Sequence, residues 1–168
     1  MNFVRFFNHL NVVFSFVAQD LIDKFDFLEH LNNEHPNEYH SAQSMIEHER
    51  TLSDRAGTTA LLRLLRALEF TYFFLERAVV SQTETAHSKH IAWDVYKQTL
   101  HRRHHKAVRM SIWCATATIP KRDNLRQTLL RGQIEPDTDK KCFPKIEQVF
   151  RHIYQLYEQN NLLEFVPL

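Results

Sequence analysis

The chain has 168 residues, a length that suits one domain with a substantial core. It contains only two glycines, Gly57 and Gly132, which excludes a dinucleotide-binding turn, a P-loop and a Gly-x-Ser-x-Gly nucleophile elbow. A formal net charge of +1 gives no global field to draw the protein onto nucleic acid, so any anionic partner must be met locally.

Cys114 and Cys142 are too few for a disulfide framework and form no Cys-x-x-Cys pair, which points to a reducing, cytosolic compartment. The uncharged run from Phe6 to Gln19 contains Asn8, His9 and Asn11 and is too short and polar to span a bilayer. With no clear small-residue cleavage site after it, it is also a poor secretory signal. A soluble, cytoplasmic protein is expected.

Apolar residues at Phe3, Phe7, Leu10, Phe14, Val17, Leu21, Phe25 and Leu28 recur in steps of three and four and predict one long amphipathic helix. Asn32, Asn33, His35 and Pro36 stop it. A second helix is expected from about Glu38 to Leu52, and a third, capped by Thr58 or Thr59, to about Val80. A fourth opens at Thr83 and Glu84, carries Trp93 and Tyr96, and runs towards the basic cluster His101 to Lys106. A fifth covers Ala107 to Ile119. Pro120 suits the first turn of a sixth helix reaching Leu130. Gly132 to Asp139 reads as loop, and Phe143 to Leu163 as a last amphipathic helix through Ile146, Val149, Phe150, Ile153, Leu156 and Tyr157. No repeat, low-complexity segment or linker interrupts this all-α pattern. Thirteen phenylalanines permit an apolar ligand cavity, although on this signal alone an ordinary Phe-rich core is the better reading.

Two sets of polar residues stand out. Asp20 and Lys24, four apart, share a helix face and suit either a solvated ion pair or a binding site. In the third helix Thr59, Arg63, Arg66 and Phe70 step by four, three and four through an otherwise Leu- and Ala-rich segment. That stripe is either a solvent-facing edge or an anion site, because guanidinium groups fork onto phosphate or carboxylate oxygens. His101, His104 and His105 have a spacing that suits zinc. Arg102, Arg103 and Lys106 surround them with like charge and no acidic or cysteine ligand is near, so no metal is expected. No Ser or Cys has an evident base in its sequence context, so neither catalysis nor a cofactor is expected.

Three segments together resemble the glycolipid transfer protein family. They are Val4-Arg5-Phe6-Phe7 through Phe14 to Lys24; Leu61-Leu62-Arg63-Leu64-Leu65-Arg66-Ala67-Leu68-Glu69-Phe70 with Phe74-Leu75-Glu76; and Ala92-Trp93-Asp94-Val95-Tyr96-Lys97-Gln98-Thr99-Leu100 with His104, Ala107-Val108-Arg109 and Ala115 to Pro120. The end, Tyr157 to Pro167, is similar as well. The resemblance implies a two-layer helical sandwich enclosing an apolar lipid chamber, as a single domain over residues 1–168 that lacks the family's first helix. It implies a non-enzymatic carrier of sphingolipid between membranes. Asp20 would accept from the sphingoid amide and hydroxyl, His104 would donate to the amide carbonyl, and Lys24 and Arg63 would bind phosphate. Thr59 and Arg66 are possible additional headgroup residues. Arg63 stands where sugar-binding members have Trp, which favours the ceramide-1-phosphate branch over neutral glycosphingolipid transfer or a lipid-sensing module without transfer. Peripheral, transient contact with a membrane surface is implied too. The chain departs from that branch at Thr59, where another Arg is usual, at Lys106, where a membrane-docking Trp is usual, and in a shortened segment between His48 and Thr59.

Overall fold

The computed structural model describes residues 12–81, 83–130 and 138–164. Among them every regular element is helical: α1 (Val12–Glu34), α2 (Pro36–Tyr39), α3 (Ala42–Glu49), α4 (Ala56–Leu75), α5 (Ser88–Thr99), α6 (Lys106–Thr116), α7 (Arg122–Leu130) and α8 (Thr138–Gln159). A π-helical turn, Glu76–Val80, continues α4, and a 3-10 turn, His101–Arg103, precedes α6.

The centre of the fold is α4, which is apolar on nearly every side and can therefore be buried from two directions. One face meets α1, α5, α6 and α7 through Leu64, Phe74, Leu75, Leu21, Ile91, Val95, Ala115 and Leu125. The other meets α3 and α8 through Leu62, Leu65, Tyr72, Ile46, Phe150 and Tyr157. Phe73 borders both clusters, and Tyr72 and Phe73 each pack edge-on against Phe150 at 5.3 and 6.3 Å.

The expected helices are present with shifted ends. The segment expected as one helix from Glu38 to Leu52 is broken at Ser41. There Ser41 and Ser44 form a reciprocal capping box that starts α3 afresh. Neither Thr58 nor Thr59 caps α4. The helix begins at Ala56, and the buried Glu49 carboxylate accepts from the backbone N–H groups of Gly57 and Thr58 at 2.8 Å each. Tyr157 locks the same turn by donating to the Thr58 carbonyl at 2.6 Å.

Thr83 and Glu84 lie in a loop, and α5 starts only at Ser88; the Thr83 hydroxyl meets that of Ser81 at 3.4 Å, and the Glu84 carboxylate is taken up by Arg77. Glu84 accepts from Arg77 and from the Ala86 N–H, which together hold its carboxyl below the usual carboxylate range. Arg122 closes the end of the π turn by donating to the carbonyls of Ala78, Ser81 and Glu84. Its own helix starts there, so Pro120 lies before α7 rather than in its first turn.

The last helix starts earlier than expected, at Thr138, and stops at Gln159. Its end is a Schellman turn: Asn161 adopts φ 54°, the Leu162 N–H reaches the Tyr157 carbonyl, and the Asn161 N–H reaches that of Glu158. Most of the expected Gly132–Asp139 loop, the stripe positions Phe3, Phe7 and Leu10, and the side chains of Phe14 and Val17 lie outside the described residues. Of the remaining stripe, Leu21 is buried and Leu28 half-buried, but Phe25 is 62% exposed. The helix is turned so that Lys24, not Phe25, faces inward.

Candidate functional site

The site forms where α1 crosses the start of α4. Asp23, Lys24 and Phe27 of α1 face Asp54, Ala56, Thr59, Ala60 and Arg63 across a recess of about 450 Å³. Positions 59 and 63 are one helical turn apart, so both project to the same side of α4. The Lys24 ammonium pairs with the Asp20 carboxylate and also reaches the Asp20 carbonyl at 3.3 Å. The pair is unevenly exposed: the Lys24 side chain is 14% exposed and that of Asp20 65%. The Lys24 side chain thus turns towards the recess, whereas Asp20 is not among its lining residues and stays exposed.

Two cations, Lys24 and Arg63, therefore line a single recess, and two carboxylates, Asp23 and Asp54, line it with them. Asp23 is engaged by Gln19, whose amide donates at 2.8 Å. An incoming anion meets both attraction and local repulsion here.

Arg66 belongs elsewhere. At about 100° per residue it is turned some 60° from Arg63, enough to carry it over the edge of α4 towards α8. It is 4% exposed, donates to the Leu163 carbonyl at 2.5 Å, and lines a second recess with Arg103, Glu69, Tyr154, Glu158 and Glu164. Arg103 makes a two-pronged ion pair with Glu164 in that recess. The expected Thr59–Arg63–Arg66 stripe is thus divided between two places: Thr59 and Arg63 face α1, and Arg66 holds the backbone after α8 at Leu163.

His104 does not line the α1–α4 recess. It follows the 3-10 turn after α5 and stacks on Tyr96 with ring centroids 5.6 Å apart and planes at 28°. The Tyr96 hydroxyl lies 2.9 Å from His104 Nδ1. Trp93 and His101 complete an aromatic cluster around Tyr96, at 5.4 and 5.7 Å. Burial first, then the neighbouring His105, Arg109 and His101, push the His104 pKa below its ordinary value, which favours the neutral ring. Among the described residues no three His, Cys, Asp or Glu side chains gather as metal ligands.

A profile of the glycolipid transfer protein family matches residues 1–131. The chain belongs to that family. Ceramide-1-phosphate transfer protein of Rattus norvegicus is 31% identical over 176 residues, which cover 96% of this chain and 81% of the relative. Among solved structures, apo mouse ceramide-1-phosphate transfer protein superposes with a TM-score of 0.83 at 29% identity, covering 96% of this chain and 84% of the mouse chain. The human protein in complex with 2:0 ceramide-1-phosphate matches with the same TM-score and identity, over 96% and 83%. The fold is accordingly the all-α, two-layer arrangement of this family, with α4 contributing to both core clusters. None of the described helices is long and apolar enough to cross a membrane.

Sequence reasoning did not single out Asp23, Phe27, Asp54 or Glu49. Asp54 and Glu49 sit where only the crossing of α1, α3 and α4 brings them together, and no periodicity marks such a crossing. Tyr96 stood in a quoted segment without a role, because the 3-10 turn between it and His104 breaks the helical spacing that would pair them.

Proposed function

We propose that this protein carries a phosphorylated sphingolipid, ceramide-1-phosphate, between membranes as a non-enzymatic transfer protein of the cytoplasm. The observation that carries this reading is the meeting of Lys24 and Arg63, from two different helices, in one recess. Two cations on one recess suit a dianionic phosphate, whose oxygens accept from ammonium and guanidinium donors. The Thr59 hydroxyl, between Asp54 and Arg63 in the lining, adds a neutral donor. As Lys24 turns to phosphate, the exposed Asp20 carboxylate becomes available to the sphingoid amide and hydroxyl. His104 supplies a donor to the amide carbonyl. Arg66 is outside this set because it closes the second recess.

The lipid chains require an apolar environment: at about 0.8 kcal/mol per methylene, a sixteen-carbon chain leaving a bilayer must recover roughly 12 kcal/mol. Half-buried Leu28, Ala67, Phe70 and Phe73 border the α1–α4–α5 cluster and are the side chains best suited to receive them. Phe70 and Phe74 already stack there, 6.1 Å apart and nearly parallel. Peripheral contact with the membrane is assigned to α6, where Met110 and Trp113 are 67% and 57% exposed beside the exposed Arg102 and Lys106. An exposed aromatic ring and thioether on a helix that opens with a lysine suit an interface with anionic lipid.

A second reading, transfer of a neutral glycosphingolipid, is favoured by Asp23 and Asp54, since carboxylates accept from sugar hydroxyls. Vesicle-to-vesicle transfer of fluorescent lipids separates the two. The protein should move ceramide-1-phosphate at least about tenfold faster than galactosylceramide, and Arg63→Ala should remove at least that factor, roughly 1.4 kcal/mol. Equal rates for the two lipids, or normal transfer by Arg63→Ala, would overturn the proposal. Vesicle binding without transfer would replace the carrier with a lipid sensor.

A further inference from the structure

We infer that Tyr96 is a positioning residue that fixes His104 in one ring orientation and one tautomer, with Nδ1 as acceptor and Nε2–H as donor. The inference deepens the carrier reading and rests on it for its functional meaning. A neutral imidazole has one donor and one acceptor nitrogen, and the bond made at one decides the role of the other. The Tyr96 hydroxyl lies 2.9 Å from Nδ1 and the two rings stack, so the phenol both supports the imidazole plane and occupies that nitrogen.

Tyr96 is itself tightly enclosed. It is 1% exposed, with Trp93 packed against it at 5.4 Å and His101 edge-on at 5.7 Å. Among the described residues the Tyr96 hydroxyl has no hydrogen-bond partner besides Nδ1, so Nδ1 is the acceptor within reach of its proton, and burial, which raises the Tyr96 pKa, keeps that proton on the phenol. Burial together with His105, Arg109 and His101 favours the neutral His104 ring, which leaves Nδ1 a lone pair to accept with. The single ring proton is left on Nε2.

This arrangement has a consequence for ligand choice. A neutral ring whose remaining nitrogen can only donate recognises a carbonyl oxygen, and it is no counter-ion for phosphate. The amide carbonyl and the phosphate of the lipid are then read by chemically different groups, His104 for the first and Lys24 with Arg63 for the second. An ordinary packing role for Tyr96 needs its ring but not its hydroxyl.

The test uses the full chain labelled with 15N-histidine and read by long-range 15N–1H correlation at pH 7.5. The wild type should show His104 with a protonated Nε2 and an unprotonated Nδ1. Tyr96→Phe keeps the stacked ring and removes the hydroxyl. It should give a mixed-tautomer signature, unchanged helicity, and transfer of ceramide-1-phosphate lowered about fivefold, the effect of one neutral hydrogen bond. A wild type with the proton on Nδ1, or a Tyr96→Phe spectrum still purely Nε2–H, overturns the assignment. A wild type that shows the Nε2–H form yet moves no ceramide-1-phosphate upholds the Tyr96 assignment and sinks the carrier reading alone.

Discussion

Replacing Glu49 by Ala should damage both stability and the binding recess, because one buried carboxylate holds the corner from which that recess is built. Glu49 is 2% exposed and accepts from the N–H groups of Gly57 and Thr58 at 2.8 Å, and from the Tyr39 hydroxyl at 3.2 Å. Gly57 and Thr58 are themselves buried, so water cannot take over their N–H groups when the carboxylate is removed. Each buried unsatisfied donor costs about 1–3 kcal/mol, which puts the loss from the two N–H groups at roughly 2–6 kcal/mol. For a chain of this size each kcal/mol lowers Tm by roughly 2–4 °C, so a fall of about 10 °C is expected. Glu49→Gln keeps one acceptor oxygen but turns an NH2 towards the other donor, and should lose about half as much. Gly57→Ala probes the same contact from the other side: a Cβ there would lie 2.7 Å from Glu49 Oε1 and 2.9 Å from Met45 Sδ. Thermal and urea unfolding followed by circular dichroism measure the losses. Transfer should fall in parallel, since Asp54, Ala56 and Thr59 line the recess from this same turn. A Glu49→Ala loss below about 1 kcal/mol would refute the reasoning, because it would mean the α4 start finds other acceptors.

Three further outcomes follow from the geometry. Asp54→Asn removes a carboxylate from the lining of the recess while keeping its shape and leaves the cations in excess, so ceramide-1-phosphate transfer should rise and become more sensitive to salt; slower transfer would show that Asp54 binds the lipid rather than repelling its phosphate. Met110→Ala with Trp113→Ala should weaken binding to anionic vesicles severalfold and leave Tm almost unchanged, because both side chains are largely exposed and bury little apolar area; unaltered vesicle binding in a flotation assay would move the docking surface off α6. His104 should make stability pH-dependent: its folded pKa is depressed below the ordinary 6.5, so between these two values the unfolded chain binds more protons, and stability falls as the pH drops through 6.5 and below. Unfolding midpoints between pH 8 and 5 should show that slope in the wild type and a shallower one in His104→Gln, and identical slopes would exclude His104 as its source.

The carrier reading and the Tyr96 assignment divide the lipid head between two regions of the fold. Phosphate is assigned to α1 and α4, and the amide carbonyl to the turn between α5 and α6. Arg103, next to His104, is tied to Glu164, and Arg66 to Leu163, so the residues after α8 brace the helix and the turn that serve these two groups. That brace explains why a second arginine in the α4 stripe serves the architecture while the first faces the recess.

Helix content and the identity of the central helix were legible in the residues alone. Apolar steps of three and four, two glycines in the whole chain, and an α4 segment too greasy for a surface helix leave little choice but an all-α core with α4 inside. The candidacy of Lys24 and Arg63 was legible too, through the resemblance and the cost of placing cations in apolar surroundings. Helix ends were not. Glu49, Arg122 and Glu84 act on backbone groups 8, 44 and 2 residues away, and local spacing carries no trace of the longer of these bonds. Nor did spacing show that Arg63 and Arg66 part company, that Lys24 turns inward in place of Phe25, or that Asp54 and Asp23 join the recess. Periodicity reports which side of a helix a residue occupies, but only the crossing of α1, α4 and α8 decides what stands opposite that side, and hence which charges meet a ligand and which meet the protein itself.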